Sequence, residues 1–286
     1  MARRLAYLGP PGTNSEEAAL KYAQAVARPG DPKADLVSMA SITAAAAAVE
    51  SGMADEGILP IENSLEGSVA ETLDVLVHGV QPPLIRNELV LTIDNCLLVK
   101  PGTKPDAVKV IFSHPQALAQ CRGFIERCFP KAAVEAALST ALAVEEMMAR
   151  DGAAAIGNRR AGELYGAEMM ARGIQDRSPN VTRFVVLAKE DHEPTGDDKT
   201  SLAFAFAVED RPGLLVAALE EFSSRSINLS KIESRPSRER LGTYIFLADV
   251  DGHRSDAALA EALERVREKC SFFRVLGSYP RYRSHA

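Results

Sequence analysis

Serine, threonine and carboxamide side chains gather in this sequence at one kind of place, where a short apolar run gives way to a stretch of helical spacing. The first is LAYLGPPGTNSEEAAL (residues 5–20), with Thr13 and Ser15 just past a glycine turn. LPIENSLEGSVAETLD (59–74) follows, with Glu62, Asn63, Ser64 and Gly67. IFSHPQALAQC (111–121) adds Ser113, His114 and Gln116, with Gln120 one helical turn further on the same face. LSTALAVEEM (138–147) adds Ser139 and Thr140. A helix N-terminus carries unpaired N–H groups and a partial positive charge, so each of these mouths suits an anion. In open α/β folds ligands sit at the carboxyl ends of strands, where such mouths converge. Four uncharged mouths point to a small, oxygen-rich anionic ligand. Each one taken alone equally suits helix capping, as Ser15 followed by Glu17 does.

Nucleotides and metals fit less well. A Walker loop needs a lysine after its second glycine, and none follows Gly12. A dinucleotide turn needs a third glycine, which is missing. No Cys/His cluster or carboxylate group has metal-ligand spacing, so no metal is expected.

The elements that position these residues follow from hydrophobic period. Candidate strands are 4–8, 36–39, 56–59, 88–99, 108–112, 133–137, 153–156 and 183–188, alternating with helical stretches near 15–27, 43–51, 68–77, 115–128 and 139–150. Such alternation predicts an α/β layer structure with largely parallel strands. TAAAAAVESG (43–52) is low in complexity, but alanine is the best helix former, so it is expected to be helical. At KEDHEPTGDDKT (189–200) apolar periodicity stops, which marks a linker. Beyond it, TSLAFAFAV and GTYIFLADV alternate like strands, while GLLVAALEEFSSR and SDAALAEALERVREKC have helical spacing. That order fits a ferredoxin-like βαββαβ domain.

The 286 residues are 46% hydrophobic and 25% charged, the profile of a globular protein with a sizeable core. A net charge of −6, mixed in sign, gives no argument for nucleic acid or an acidic membrane. Cys96, Cys121, Cys128 and Cys270 show no CxxC pairing and are expected to be thiols in a reducing compartment. Neither a secretory h-region nor a membrane span is expected, which by elimination suggests the cytoplasm.

The ordered set GPPGT.S, PIENS..GSV..TLD, SHPQALAQC, STA.A, AAAIGNRRAGELYG and NVTRF (180–184) resembles prephenate dehydratase across residues 5–188. DRPGLL (210–215) and INLSKIESRP (227–236) resemble the regulatory ACT module of the same enzymes. The resemblance implies a catalytic domain at 1–190, made of two lobes similar to periplasmic binding proteins with the site in their cleft. A linker at 191–199 and an ACT domain at 200–286 complete the expected division. It also implies a cofactor-free reaction in which prephenate loses water and CO2 to become phenylpyruvate. The glycine turn would then hold a carboxylate, not a phosphate. No chorismate mutase segment is expected.

By the same resemblance Thr182 is the residue tied most closely to catalysis, as a hydrogen-bond donor or relay to the leaving oxygen. A hydroxyl is a poor acid, and Glu62 is the candidate acid behind it, since desolvation raises a carboxyl pKa. The alternative for Glu62 is a structural hydrogen bond. Arg183 is the natural fork for a substrate carboxylate. However, neighbouring strand residues face opposite ways, so an ion pair is its alternative, and Phe184 returns to the face of Thr182. Thr13, Ser15, Asn63, Ser64, Ser113, Gln116, Gln120, Ser139 and Thr140 are expected substrate-binding donors, with His114 packing or capping. Pro212, Gly213, Leu214, Leu215, Glu233, Ser234, Arg235 and Pro236 are expected to bind L-phenylalanine between paired domains, which implies a homodimer or homotetramer. Phenylalanine would favour the less active state.

The sequence departs from the family pattern at Asn14, usually phenylalanine; Asn95, often histidine; Gly157 and Asn158, commonly alanine and serine; and Leu214, usually alanine. Arogenate dehydratase and a non-catalytic two-lobed binding protein are the competing readings.

Overall fold

The computed structural model describes residues 2–206, 212–238 and 242–283. Its internal contacts divide the chain into two units, residues 1–70 with 89–184, and 71–88 with 185–286.

In the first unit β1 (Arg4–Leu8) pairs in parallel with β2 (Asp35–Met39) and β3 (Glu56–Asn63). They belong to a sheet of order β2-β1-β3-β11-β5, with β5 at Leu84–Thr92 and β11 at Val181–Ala188. The short β4 (Gly67–Ser68) lies antiparallel to β3. Helices α1 (Asn14–Val26) and α2 (Ile42–Glu50) connect the first strands. The alanine run is helical as expected: Ser41 caps α2 by accepting from Ala44 N at 3.0 Å, and Ala45, Ala46, Ala48 and Val49 are buried. Their small side chains let the helix approach Gly57, where an added Cβ would lie 3.0 Å from Val49 Cγ2.

A second sheet in the same unit has the order β10-β6-β9-β7-β8. Its strands are β6 (Cys96–Val99), β7 (Val110–Ser113), β8 (Ala133–Ala136), β9 (Ala153–Gly157) and β10 (Glu168–Arg172). β7 is parallel to β8 and β9, whereas β6 runs antiparallel to β9 and β10. Its helices are α4 (Pro115–Gln120), α5 (Arg122–Cys128), α6 (Thr140–Ala149) and α7 (Arg159–Tyr165).

Several expectations need correction. The apolar run 88–99 is two strands, because the chain leaves one sheet at Ile93 and joins the other at Cys96. The return crossing runs alongside it: Ile93 N donates to Asn180 O at 2.8 Å, and Ile174 N to Asn95 O at 3.0 Å. The break in 88–99 is short, only Ile93, Asp94 and Asn95 between two apolar strands, so the run reads as one. The helical stretch 115–128 is likewise two helices divided at Cys121. β10 and α7 have only weak sequence patterns and were not expected.

In the second unit β12 (Asp198–Ala205), α8 (Leu214–Ser223), β13 (Leu229–Pro236), β14 (Tyr244–Asp251), α9 (Ala257–Lys269) and β15 (Phe272–Pro280) give the βαββαβ order. Their antiparallel sheet runs β13-β14-β12-β15 over a core that includes Leu202, Phe204, Phe222, Leu259 and Leu263. Helix α3 (Ala70–His78) groups with this unit, and Arg274 Nη1 donates to the carbonyls of Leu76, Val77 and Gly79 at 2.8–3.2 Å. The segment expected as a featureless linker is pinned. Thr195 N, Thr195 Oγ1 and Gly196 N all donate to Asp198 within 2.9 Å, and Asp191 accepts from Ser278 N at 3.0 Å. Among the described residues no helix is long and apolar enough to cross a membrane.

Candidate active site

A cleft of about 790 Å³ opens within the first unit, lined by the helix mouths of both its sheets. From the β1 side come Thr13, Asn14 and Ser15 at the start of α1, Asn63 at the end of β3, and Thr182 and Phe184 on β11. From the second sheet come Asn95, His114, Gln116 and Gln120 around α4, Ser139 and Thr140 at the start of α6, and Glu145 and Tyr165. Among the described residues this lining holds no lysine or arginine. Anionic ligands there would meet helix N-termini, hydroxyls and amides, not a side-chain cation.

Thr182 lies on the cleft wall, 9% exposed, and its Oγ1 accepts from Asn63 Nδ2 at 2.9 Å. Asn63 Nδ2 also donates to Asn180 Oδ1 at 2.9 Å, while its Oδ1 accepts from Leu65 N and Glu66 N. Both ends of the amide are therefore committed, which fixes its orientation. A hydroxyl that accepts this bond keeps its own proton for another partner. Behind it, Asn180 Nδ2 donates to Gln120 Oε1 at 3.0 Å, and Gln120 Nε2 donates to Glu66 at 3.3 Å. This amide chain links the two sides of the cleft where the strands cross. Asn180 and Asn95 were not singled out as site residues from the sequence. Asn180 is the first residue of the NVTRF motif, but its burial could only be seen in the fold.

Strand alternation sorts the remaining candidates. Phe184 faces the cleft with Thr182, whereas Arg183 faces the other way and pairs with Glu62 at 3.8 Å. Neither Arg183 nor Glu62 lines the cleft. Arg183 thus takes the ion-pair alternative left open for it, with Glu62 as the partner, and Asn63 stands beside the Thr182 hydroxyl. Ser64 is also outside the lining, where it clips the start of β11 by accepting from Val181 N at 3.0 Å. Ser113 is fully buried and donates to Ile156 O at 2.6 Å, so it serves the second sheet and not a ligand.

Capping accounts for part of the rest. Thr13 caps α1 and donates to Pro10 O at 2.9 Å, and Ser139 caps α6 by accepting from Leu142 N at 3.0 Å. Both line the cleft while doing so. His114 Nδ1 accepts from Gln116 N at 3.3 Å, so the neutral ring carries its proton on Nε2. Tyr165 donates to Glu145 at 3.3 Å, and burial, reinforced by that carboxylate, pushes its phenol pKa up. No group of three or more His, Cys, Asp or Glu among the described residues is arranged to hold a metal.

The residues expected to bind an effector lie in the second unit. Gly213 begins α8 with φ +94°, a conformation suited to glycine, followed by half-buried Leu214 and by Leu215 packed on the core. Asp210 and Arg211 of the same motif lie outside the described residues. Glu233, Ser234, Arg235 and Pro236 form the end of β13, an edge strand. Arg235 is engaged with Asp74 at 3.0 Å, and Glu233 with Lys231 at 3.5 Å.

Known proteins are similar to this chain in sequence and fold. Residues 5–192 match the family model described as Prephenate dehydratase, and residues 204–268 that of the ACT domain. A prephenate dehydratase from Mycobacteroides abscessus is 40% identical over 98% of this chain and 90% of its own length. Arogenate dehydratase 5 of Arabidopsis thaliana is 39% identical over 97% of this chain and 67% of its own. The crystal structure of prephenate dehydratase in complex with L-Phe from Arthrobacter aurescens has a TM-score of 0.83 at 34% identity, covering 97% of this chain and 90% of that one. With one family model spanning the two-sheet unit and the other the βαββαβ unit, the chain belongs to the prephenate dehydratase family and carries a C-terminal ACT domain.

Proposed function

We propose that this chain is a prephenate dehydratase regulated by L-phenylalanine. The observation that carries the reading is Thr182: a hydroxyl on the wall of a cation-free cleft, held as an acceptor by Asn63 so that its proton is directed elsewhere. In the reaction the bond from the ring to its carboxylate breaks and CO2 leaves. The released electron pair completes the aromatic ring, and the 4-hydroxyl departs with a proton as water. Thr182 Oγ–H is the hydrogen-bond donor to that departing oxygen, stabilising the charge that develops on it, while the proton that completes the water comes from solvent and Thr182 keeps its own. A ring carboxylate next to a lysine or arginine would be stabilised before reaction. A wall of amides, hydroxyls and Phe184 leaves its charge less favoured in the ground state than in the transition state. The α1 and α6 N-termini, with Ser15, Thr140 and the Nε2–H of His114, supply dipoles and donors for the side-chain pyruvate.

Under this reading phenylalanine binds the ACT domain near Gly213 and the end of β13, in a homodimer or homotetramer in the cytoplasm. The domain division is 1–190 catalytic, 191–199 linker and 200–286 ACT. Arogenate, in which an amine replaces the keto oxygen, is the competing substrate. The exposed carboxylate of Glu145 on the lining favours keeping it in the comparison. The test incubates the purified chain with prephenate or arogenate at neutral pH and follows phenylpyruvate or phenylalanine, with added phenylalanine in the prephenate series. Turnover of prephenate suppressed by phenylalanine is expected. A higher kcat/KM for arogenate would reassign the substrate, and inert behaviour toward both would leave a binding protein.

A further inference from the structure

Two asparagines at helix starts, far apart in sequence, meet in space. Asn158 Nδ2 donates to Asn14 Oδ1 at 2.8 Å, although the residues are 144 apart in sequence. Asn14 opens α1 beside the first sheet, and Asn158 precedes α7 beside the second. The orientation of both amides follows from one cap. Asn158 Oδ1 accepts from Ala161 N at 2.8 Å, so its Nδ2 must be the group facing Asn14, and the atom it meets must be Asn14 Oδ1. Asn14 Nδ2 is thereby left as a donor on a residue that lines the cleft. The same contact is reinforced alongside. Arg160 Nε donates to buried Glu16 Oε2 at 3.0 Å, and that oxygen also accepts from Gly12 N at 2.7 Å. Gly12 itself packs tightly, because an added Cβ would stand 3.2 Å from Ala141 Cβ and 3.4 Å from Ala161 Cα.

We propose that Asn14 is a substrate-binding residue and Asn158 its positioning residue: their hydrogen bond joins the starts of α1 and α7 and presents the Asn14 amide N–H to an anionic oxygen of the substrate. An uncharged donor is what a cleft without lysine or arginine needs for a carboxylate or keto oxygen. Because Asn158 sets the orientation of the Asn14 amide, affinity is reduced by whatever fraction of the protein lacks their bond. An aromatic side chain at position 14 could supply no such donor.

The substrate's identity rests on the reading above, but the contact between Asn14 and Asn158 does not. The experiment compares wild type, Asn158→Ser, Asn14→Ala and the double variant in kcat and KM for prephenate. Amide hydrogen exchange is followed by mass spectrometry in the segments 9–16 and 157–162. Serine keeps the cap of α7 but cannot reach Asn14, so folding is preserved. Asn158→Ser is expected to raise KM about two- to twelvefold, the range of one net hydrogen bond, with kcat within twofold. Asn14→Ala should raise it at least as much, and the double variant no further than Asn14→Ala. Exchange should quicken in both segments of Asn158→Ser. An unchanged KM in Asn158→Ser, or additive effects in the double variant, would overturn the positioning role. Faster exchange confined to 157–162 would overturn the contact. If wild type does not turn over prephenate, the functional reading falls, while the exchange comparison still decides the contact.

Discussion

Replacing Thr182 by valine removes one oxygen from the cleft wall and changes little else, so its two consequences separate cleanly. The stability cost is small because the partner stays satisfied. Asn63 Nδ2 has two hydrogens and three acceptors, and Asn180 Oδ1 at 2.9 Å and Val181 O at 3.3 Å remain after the hydroxyl is gone. Valine is a β-branched residue suited to the interior of β11. The loss should be about 1 kcal/mol or less, against the roughly 1–3 kcal/mol expected of an orphaned buried donor. The catalytic cost is of another order. Loss of a positioned hydrogen-bond donor to the departing oxygen should lower kcat about 10²–10³-fold, or roughly 3–4 kcal/mol of activation free energy. Thr182→Ser, which keeps the hydroxyl, should stay within about tenfold of wild type. Initial rates of phenylpyruvate formation, corrected for spontaneous breakdown of prephenate, give kcat, and urea unfolding gives stability. A Thr182→Val protein retaining kcat within tenfold would refute the donor role. One losing several kcal/mol of stability would refute the account of the Asn63 partners.

Burial also predicts thiol behaviour. Cys121 is pushed up to about 12 and Cys270 to about 11, each chiefly by desolvation, and burial raises Cys96 as well. Brief iodoacetamide treatment of the folded protein at neutral pH should therefore label exposed Cys128 and spare the other three, as read by peptide mass spectrometry. Asp198 gives the pH dependence. Burial alone would raise its pKa, but donors from Thr195 and Gly196 outweigh it and hold the carboxyl below the ordinary range. The folded protein then binds this proton less readily than the unfolded chain. The stabilisation is complete above the unfolded value of about 3.9 and is lost as pH falls through the lower folded value. Urea midpoints measured from pH 6 to pH 3 should fall less steeply in Asp198→Asn than in wild type, and parallel curves would contradict this.

What the sequence discloses about this molecule is what local chemistry can encode. Alternation and helical period locate most strands and helices because each must bury one face, and the four helix mouths are legible because capping residues follow apolar runs. Periodicity failed at 93–95 and at Cys121, where a break of one to three residues changes sheet or helix between two stretches of the same pattern. The candidate list is instructive in another way. Glu62 and Arg183 are the residues a chemist would choose first, and they pair with each other off the cleft wall. Which face a strand residue takes depends on its register. The motif gives the residues; only the fold says that Asn63, and not its neighbour, stands beside Thr182. Asn14 and Asn158 mark the limit of the approach. Each is an ordinary helix-start residue by its own sequence context, and each was visible only as a departure from a pattern. Their meaning lies in a bond across 144 residues, and no local rule of capping, propensity or period contains a term for such a pair. Two helix-start residues that prove to touch are therefore better evidence of a shared role than either is alone, because capping explains each residue separately but not the bond between them.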